Sequence, residues 1–376
     1  MNNIVVLGAG LVGKAIIVDL CKRHNVIAVD VDKNNLSKLK PHSNVKTIEA
    51  DLTHADNINK IIRNADLVIG AVPGFIGFNV VKAVIEAGKN IIDISFFSED
   101  PFELDDLAQK KNVTAVVDCG VSPGLGNIIL GNYLNKLEVD SYVCYVGGLP
   151  QKPLPPWGYK AVFSPIDVIE EYTRPVRFRQ AGEEKTESAL SRKAIISFEK
   201  IGEFEAWNTD GLRTLLKTTN IPNLIEMTIR HRGTIDPIIA LRDGGFFSSD
   251  TISINGADVK PIDLTTKLLF SRWQMRSGDR DMTLMRIKIG GTKNGNFQEF
   301  EYDLIDFYDE ATATTSMART TGYTCTAVAN FLLQNKCDHK GVVAPENLGQ
   351  DESAYGFIIN YLAERGIIIK KRSKEP

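Results

Sequence analysis

At 376 residues the chain exceeds what one hydrophobic core usually organises, so two domains are expected. Its 43% hydrophobic and 24% charged residues are those of an ordinary globular protein, and 44 Lys and Arg against 47 Asp and Glu leave a net charge of −3, which gives no basic footprint for nucleic acid or an anionic membrane. No apolar run approaches the roughly 20 residues of a membrane span, and the first begins at Ile4 without a basic leader, so a cytoplasmic protein with small-molecule partners is expected.

From the start to about residue 135, β-branched runs alternate with segments of helical spacing. Strands are expected at 4–8, 26–30, 45–49, 67–72, 90–95 and 113–118, and helices at 11–22, 54–62, 75–87 and 101–111. Near-continuous apolar strands separated by helices are the pattern of a parallel sheet covered on both faces. The expected fold class is therefore α/β, with an N-terminal doubly wound parallel sheet of Rossmann type. Past Gly126 the strands become alternating and partly polar, as at 139–148, 251–260 and 284–292, with the Pro-rich connection GLPQKPLPPWGYK after the first. They predict a second, α+β domain on a mixed or antiparallel sheet. Two helical segments, 312–334 and 354–365, are expected to close back on the first domain.

The first strand runs straight into Gly8-Ala9-Gly10-Leu11-Val12-Gly13, which opens the first helix, and a second strand ends in Asp30. That order is the fingerprint of a dinucleotide site: Gly8 for the tight turn, Gly10 for approach of a pyrophosphate, Gly13 for close helix packing, and the helix N-terminus for the phosphate charge. Asp30 would accept from a ribose 2′-OH and repel a 2′-phosphate, and Asp32 adds to that repulsion, so NAD is expected over NADP. Ala71, Val72 and Pro73 lie at the carboxyl end of the fourth strand, where such sheets bind ligands. Asp51 and Leu52, after the third strand, are candidates for bordering the adenine, and a helix-capping role for Asp51 is about as well supported. The expected division is residues 1–125 for the dinucleotide domain, 126–310 for a substrate and oligomerisation domain, and 311–376 for the closing helices.

The pieces VVLGAGLVG, DLVIGAVPGF, DISFF, VVDCGVSPGLGN, YVGGLP, WGYKAVFSP, EEYTRP, EAWNTDGLRTLL, EMTIRHRG, TSMARTTGYTCTAVA and KGVVAPENLG follow one another along nearly the whole chain. In this ordered set the protein resembles the saccharopine dehydrogenase family, and within it the branch of L-lysine 6-dehydrogenases. The resemblance implies a substrate that is an amino acid, a C–N bond oxidised by NAD(P), and a homo-oligomer, dimer or tetramer, formed through the second domain. It implies, as the specific reaction, oxidative deamination of the terminal amine of L-lysine to a semialdehyde that cyclises. The chain departs from its relatives at Thr228-Ile229-Arg230-His231-Arg232-Gly233-Thr234, and at Phe96-Phe97, where saccharopine-type enzymes often place Tyr.

Such a reaction needs a carboxylate anchor and a proton acceptor. A guanidinium fork binds both carboxylate oxygens. By resemblance Arg230 is the first candidate and Arg213 the second, although either could as well be ion-paired or on the surface. An amine with a free pKa near ~10.4 must shed a proton before its carbon releases hydride. Asp118 is the first candidate base; Asp93, Lys160 and His231 are others, each with a bland alternative as a turn, surface or packing residue. Asp210 is a candidate contact for the substrate amine, and Cys119, in the Asp118-Cys119-Gly120 stretch, for the substrate. Small residues at 316, 318 and 320–322 would let a helix pass close to the cofactor, with Arg319 near it.

Cys21, Cys119, Cys144, Cys325 and Cys337 form no CxxC pair, so neither a zinc site nor a disulfide framework is expected. Two other readings stay open. A saccharopine or carboxynorspermidine type reductase would need a further arginine, for which Arg174, Arg177, Arg232 and Arg242 are candidates. A non-catalytic NAD-sensing module would need none.

Overall fold

The structure, a computed structural model, describes residues 1–276, 278–335 and 339–372. Strand β1 (Asn3–Leu7) is buried along Ile4, Val5, Val6 and Leu7 because both of its faces are covered. Ile4 and Val6 face helix α1 (Leu11–Leu20), while Val5 and Leu7 share a core with residues of the helices Ala55–Ile62 and Gly74–Glu86. Around it run β2 (Asn25–Asp30), β3 (Val45–Glu49), β4 (Leu67–Gly70), β5 (Ile91–Asp93) and β6 (Thr114–Val116), all parallel in the order β3-β2-β1-β4-β5-β6. The order reverses between β1 and β4, and ligands in such sheets bind outside the carboxyl ends at that point.

The chain returns to this sheet late. A seventh strand, Gly341–Val343, pairs parallel with β6, Val342 opposite Ala115, a strand that the apolar pattern of three residues is too short to announce. The closing helix Ser316–Asn335 packs on α1, where a Cβ on Gly322 would lie 3.2 Å from the Ile16 side chain. A buried carboxylate locks that contact. Asp19 of α1 accepts from Thr326, Tyr361 and Arg365, and although burial pushes its carboxyl up, these donors and the Arg365 charge hold it below the usual range.

The second sheet has nine strands and is mixed. Its long members, Glu138–Pro150 and Asp281–Lys293, pair antiparallel, while Asn223–His231 runs parallel to Glu138–Pro150, with Thr228 opposite Val146. The expected strand at 251–260 is instead a small hairpin apart from that sheet, Ile252–Ile254 paired with Ala257–Val259. Asn255 and Gly256 between them have φ of 52° and 80°, the left-handed pair that a two-residue hairpin turn demands. Among the described residues no helix is long and apolar enough to cross a membrane, no cluster could hold a metal ion, and Cys21, Cys119, Cys144 and Cys325 are free and buried. Cys337 lies outside the described residues.

Candidate active site

One cavity of about 710 Å³ opens at the carboxyl ends of the parallel strands and runs to the second sheet. At one end it is lined by Gly8, Gly10, Leu11, Val12, Gly13, Asp30, Ala71, Val72 and Pro73. The loop has no room for side chains on its inner side: Gly8 has φ +105° and a Cβ there would sit 2.2 Å from the Ala71 carbonyl oxygen, while one on Gly13 would sit 2.2 Å from that of Gly8. On Gly10 a Cβ would meet nothing within 4 Å, because that position faces the open cavity. The free N–H groups at the start of α1 therefore face space that a pyrophosphate fits. Asp30 is held in place by the backbone N–H of Ala9, at 2.7 Å, and of Asp32, at 2.8 Å. These residues fit a dinucleotide.

Asp51 and Leu52 do not line this cavity. The Asp51 carboxylate accepts from the backbone and hydroxyl of Thr53 at 2.9 and 2.7 Å, a local turn before the helix Ala55–Ile62, and Leu52 points into the core with Ile58. The local bond wins over the ligand-facing role because an Asx turn needs no partner beyond its own loop.

The opposite end is built from five segments. Strand Asn223–His231 alternates side chains, so Glu226, Thr228 and Arg230 line the cavity together. Helix Pro165–Thr173 and the residue after it contribute Asp167, Glu170, Glu171 and Arg174; the loops after β5 and β6 contribute Ser95, Phe96, Asp118 and Ser122; Thr209 and Asp210 complete the wall. Arg230 is buried and donates to Glu171 at 2.5 Å, with its guanidinium 4.5 Å above the Tyr159 ring and its Nε without a partner among the described residues. Arg174 pairs with Glu170 at 3.2 Å and keeps a buried Nη1 that has no partner among the described residues.

Most carboxylates here already have a cation. Asp118, with φ +53°, accepts from Arg213 Nε at 2.8 Å on both oxygens, and Asp210 takes a fork from Arg177 at 2.9 and 2.7 Å. Asp167 and Glu226 have no salt bridge among the described residues. Burial pushes Asp167 up to about 6 and Glu226 up to about 8.

The remaining candidates sit off the cavity, each for a visible reason. Arg213 lies behind Asp118, its fork committed to that carboxylate and to the Phe97 carbonyl. Asp93 is fully buried beneath the wall; burial pushes it up to about 8, and it accepts from the amide and hydroxyl of Ser95 at 2.9 and 2.5 Å. Lys160 donates to the Gln274 carbonyl at 3.1 Å and lies 3.6 Å from Asp279. His231 points to the opposite face of its strand from Arg230, on the Pro150 carbonyl at 2.7 Å, and burial holds its pKa below the usual value. Cys119 is a core residue whose thiol burial pushes well above its ordinary value. Arg319 is spent on Asp306 and on the Phe307 and Arg365 carbonyls, and of its helix only Met317 and Thr321 line the cavity.

Glu226, Glu171 and Asp167 are cavity residues that the sequence does not single out. Glu226 and Glu171 lie in the stretches EMTIRHRG and EEYTRP, while Asp167 lies in neither, and period-two alternation back from Arg230 points to Thr228 and Glu226. Of the four arginines considered for a second carboxylate, only Arg174 lines the cavity; Arg232 pairs with Glu203, and Arg242 with Asp243 and the Ala189 carbonyl.

Comparison with known proteins covers both halves of the chain. Residues 4–116 match the saccharopine dehydrogenase NADP binding domain and residues 120–367 the saccharopine dehydrogenase C-terminal domain. The chain is 24% identical to the NADP-dependent, L-glutamate-forming saccharopine dehydrogenase of Schizosaccharomyces pombe, over 99% of both chains. It is 22% identical to the mitochondrial alpha-aminoadipic semialdehyde synthase of Bos taurus over 99% of its own length, and spans only 48% of that relative. The apo saccharopine dehydrogenase (L-Glu forming) of Saccharomyces cerevisiae shares the fold, with a TM-score of 0.80 at 21% identity over 99% of each chain.

Proposed function

This chain belongs to the saccharopine dehydrogenase family, and from that premise we propose that it is an oxidoreductase acting with NAD on the terminal amine of L-lysine, releasing a semialdehyde that closes on its own α-amine. The observation that carries the choice of substrate is the charge of the cavity's substrate end. Six carboxyl side chains, Asp118, Asp167, Glu170, Glu171, Asp210 and Glu226, face two guanidinium groups, Arg174 and Arg230, each of which already holds a carboxylate. Arg213 and Arg177 behind the wall match Asp118 and Asp210, so among the described residues only Asp167 and Glu226 lack a cation; lysine, with two ammonium groups and one carboxylate, fits that shortfall, whereas saccharopine brings two further carboxylates.

The Gly8–Gly13 loop and the α1 N-terminus would hold the pyrophosphate, and Asp30 would accept from the adenosine ribose. Bound NAD supplies the hydride acceptor. Arg230, pre-oriented by Glu171 and the Tyr159 ring, offers its unpartnered Nε to the α-carboxylate. Asp118 and Asp210, held in place by Arg213 and Arg177, turn carboxyl oxygens toward the α-ammonium. Met317, Phe163 and Phe96 exclude water from the reacting carbon.

Asp30 and Asp32 beside the ribose position support NAD, although the Schizosaccharomyces pombe relative is NADP-dependent by name. One observation favours a second reading, a saccharopine-type enzyme: the unpartnered Nη1 of Arg174 could take a further carboxylate. Incubation with NAD and each substrate decides. NADH formed from L-lysine without any oxo-acid supports the proposal, and turnover of saccharopine alone overturns it.

A further inference from the structure

Resting on the amine-oxidation reading, we propose that Glu226 is the group that takes the proton from the substrate's terminal ammonium before hydride leaves the neighbouring carbon. Of the carboxyls lining the cavity, Asp118, Asp210, Glu170 and Glu171 each pair with an arginine, which already occupies the place a substrate ammonium would take. Asp167 receives hydrogen bonds from the Gly74 amide and from Ser164. Glu226 receives one, from Ser122 Oγ at 2.7 Å, and no cation pairs with it among the described residues.

Its surroundings make it answer to a cation. Ser122 comes from the loop after β6, Tyr142 and Cys144 from strand Glu138–Pro150, Asp210 from the loop over Gly211, Glu171 from helix Pro165–Thr173, and Asp118 from the end of β6. Burial pushes Tyr142 well up and Cys144 up to about 12, so both stay neutral, and the three carboxylates repel a further negative charge. On its own strand Arg230 is engaged by Glu171. Burial and these neighbours raise Glu226 to about 8, so the empty site holds it mostly protonated at neutral pH. An incoming ammonium reverses this by replacing the missing cation, and the proton of Glu226 goes to solvent. The carboxylate left behind then accepts one ammonium proton. The resulting R–CH2–NH2 loses hydride to NAD+, giving R–CH=NH2+ and NADH, and water adds to that carbon to release ammonium and the aldehyde.

Two measurements test this in the whole chain. Adding L-lysine to nucleotide-free protein near pH 7 in weak buffer should release about one proton per site in wild type, none in Glu226→Gln, and none with L-norleucine, which lacks the ammonium. In turnover, wild-type kcat/KM should rise to a plateau above about pH 8, and Glu226→Gln should fall ~100-fold and lose that rise. Glu226→Asp should recover part of the rate, and Ser122→Ala should move the midpoint upward because it removes the bond that favours the carboxylate. Glu226→Gln with wild-type proton release and pH profile overturns the assignment of Glu226 alone. Wild type that oxidises no amine at all overturns the functional reading, and the assignment with it.

Discussion

The two ends of the cavity are made of different material. The nucleotide end is backbone: glycines at 8, 10 and 13, the first N–H groups of α1, and one carboxylate pinned by two amides. The substrate end is side chain: carboxyls and guanidiniums from four segments, mostly spent on ion pairs. A backbone site tolerates little and recognises what all its relatives bind, whereas a side-chain site can be retuned one pair at a time.

The largest effect should therefore come from the backbone end. Gly8→Val must relieve a Cβ contact of 2.2 Å at φ +105°, so NADH binding followed by nucleotide fluorescence should fall more than ~100-fold with a lowered Tm. Next comes Arg230→Met, which leaves the half-buried Glu171 without its cation and should cost on the order of 3 kcal/mol in denaturant unfolding. The double variant Arg230→Met/Glu171→Gln should recover most of that stability while the KM for L-lysine stays raised. Recovery of both would show the pair to be structural only.

Asp30→Ala should weaken NAD binding by roughly tenfold and narrow the preference over NADP, since it removes both an acceptor for the ribose and a repulsion toward a 2′-phosphate. Unchanged NAD dependence would contradict the cofactor assignment. The smallest effect is expected at Asp51→Ala: a loss of about 1 kcal/mol from the turn it caps, with NAD affinity within twofold of wild type.

What could be read from the residues follows the same divide. The order strand, Gly8 to Gly13, helix, strand, Asp30 is contiguous, so local spacing carries it, and β1 to β6 lie close to the predicted runs. Asp118, Asp210 and Arg230 were legible as cavity residues, but not their pairing with Arg213, Arg177 and Glu171, which lie 95, 33 and 59 positions away in the chain. Asp51 was ambiguous because an Asx turn and a ligand contact use the same residue. His231 points away from the cavity because strand alternation sends it to the face opposite its neighbour Arg230. The strand Gly341–Val343 was missed because three buried residues have no period to detect, and only pairing with β6 makes them a strand.

The central claim, that the carboxyl-rich end selects an amine-bearing cation over a tricarboxylate, is tested most directly by the ratio of kcat/KM for L-lysine to that for L-saccharopine, both with NAD. The account predicts a ratio well above one that falls as salt screens the cavity. A ratio below one, with saccharopine turned over as the better substrate, would contradict it.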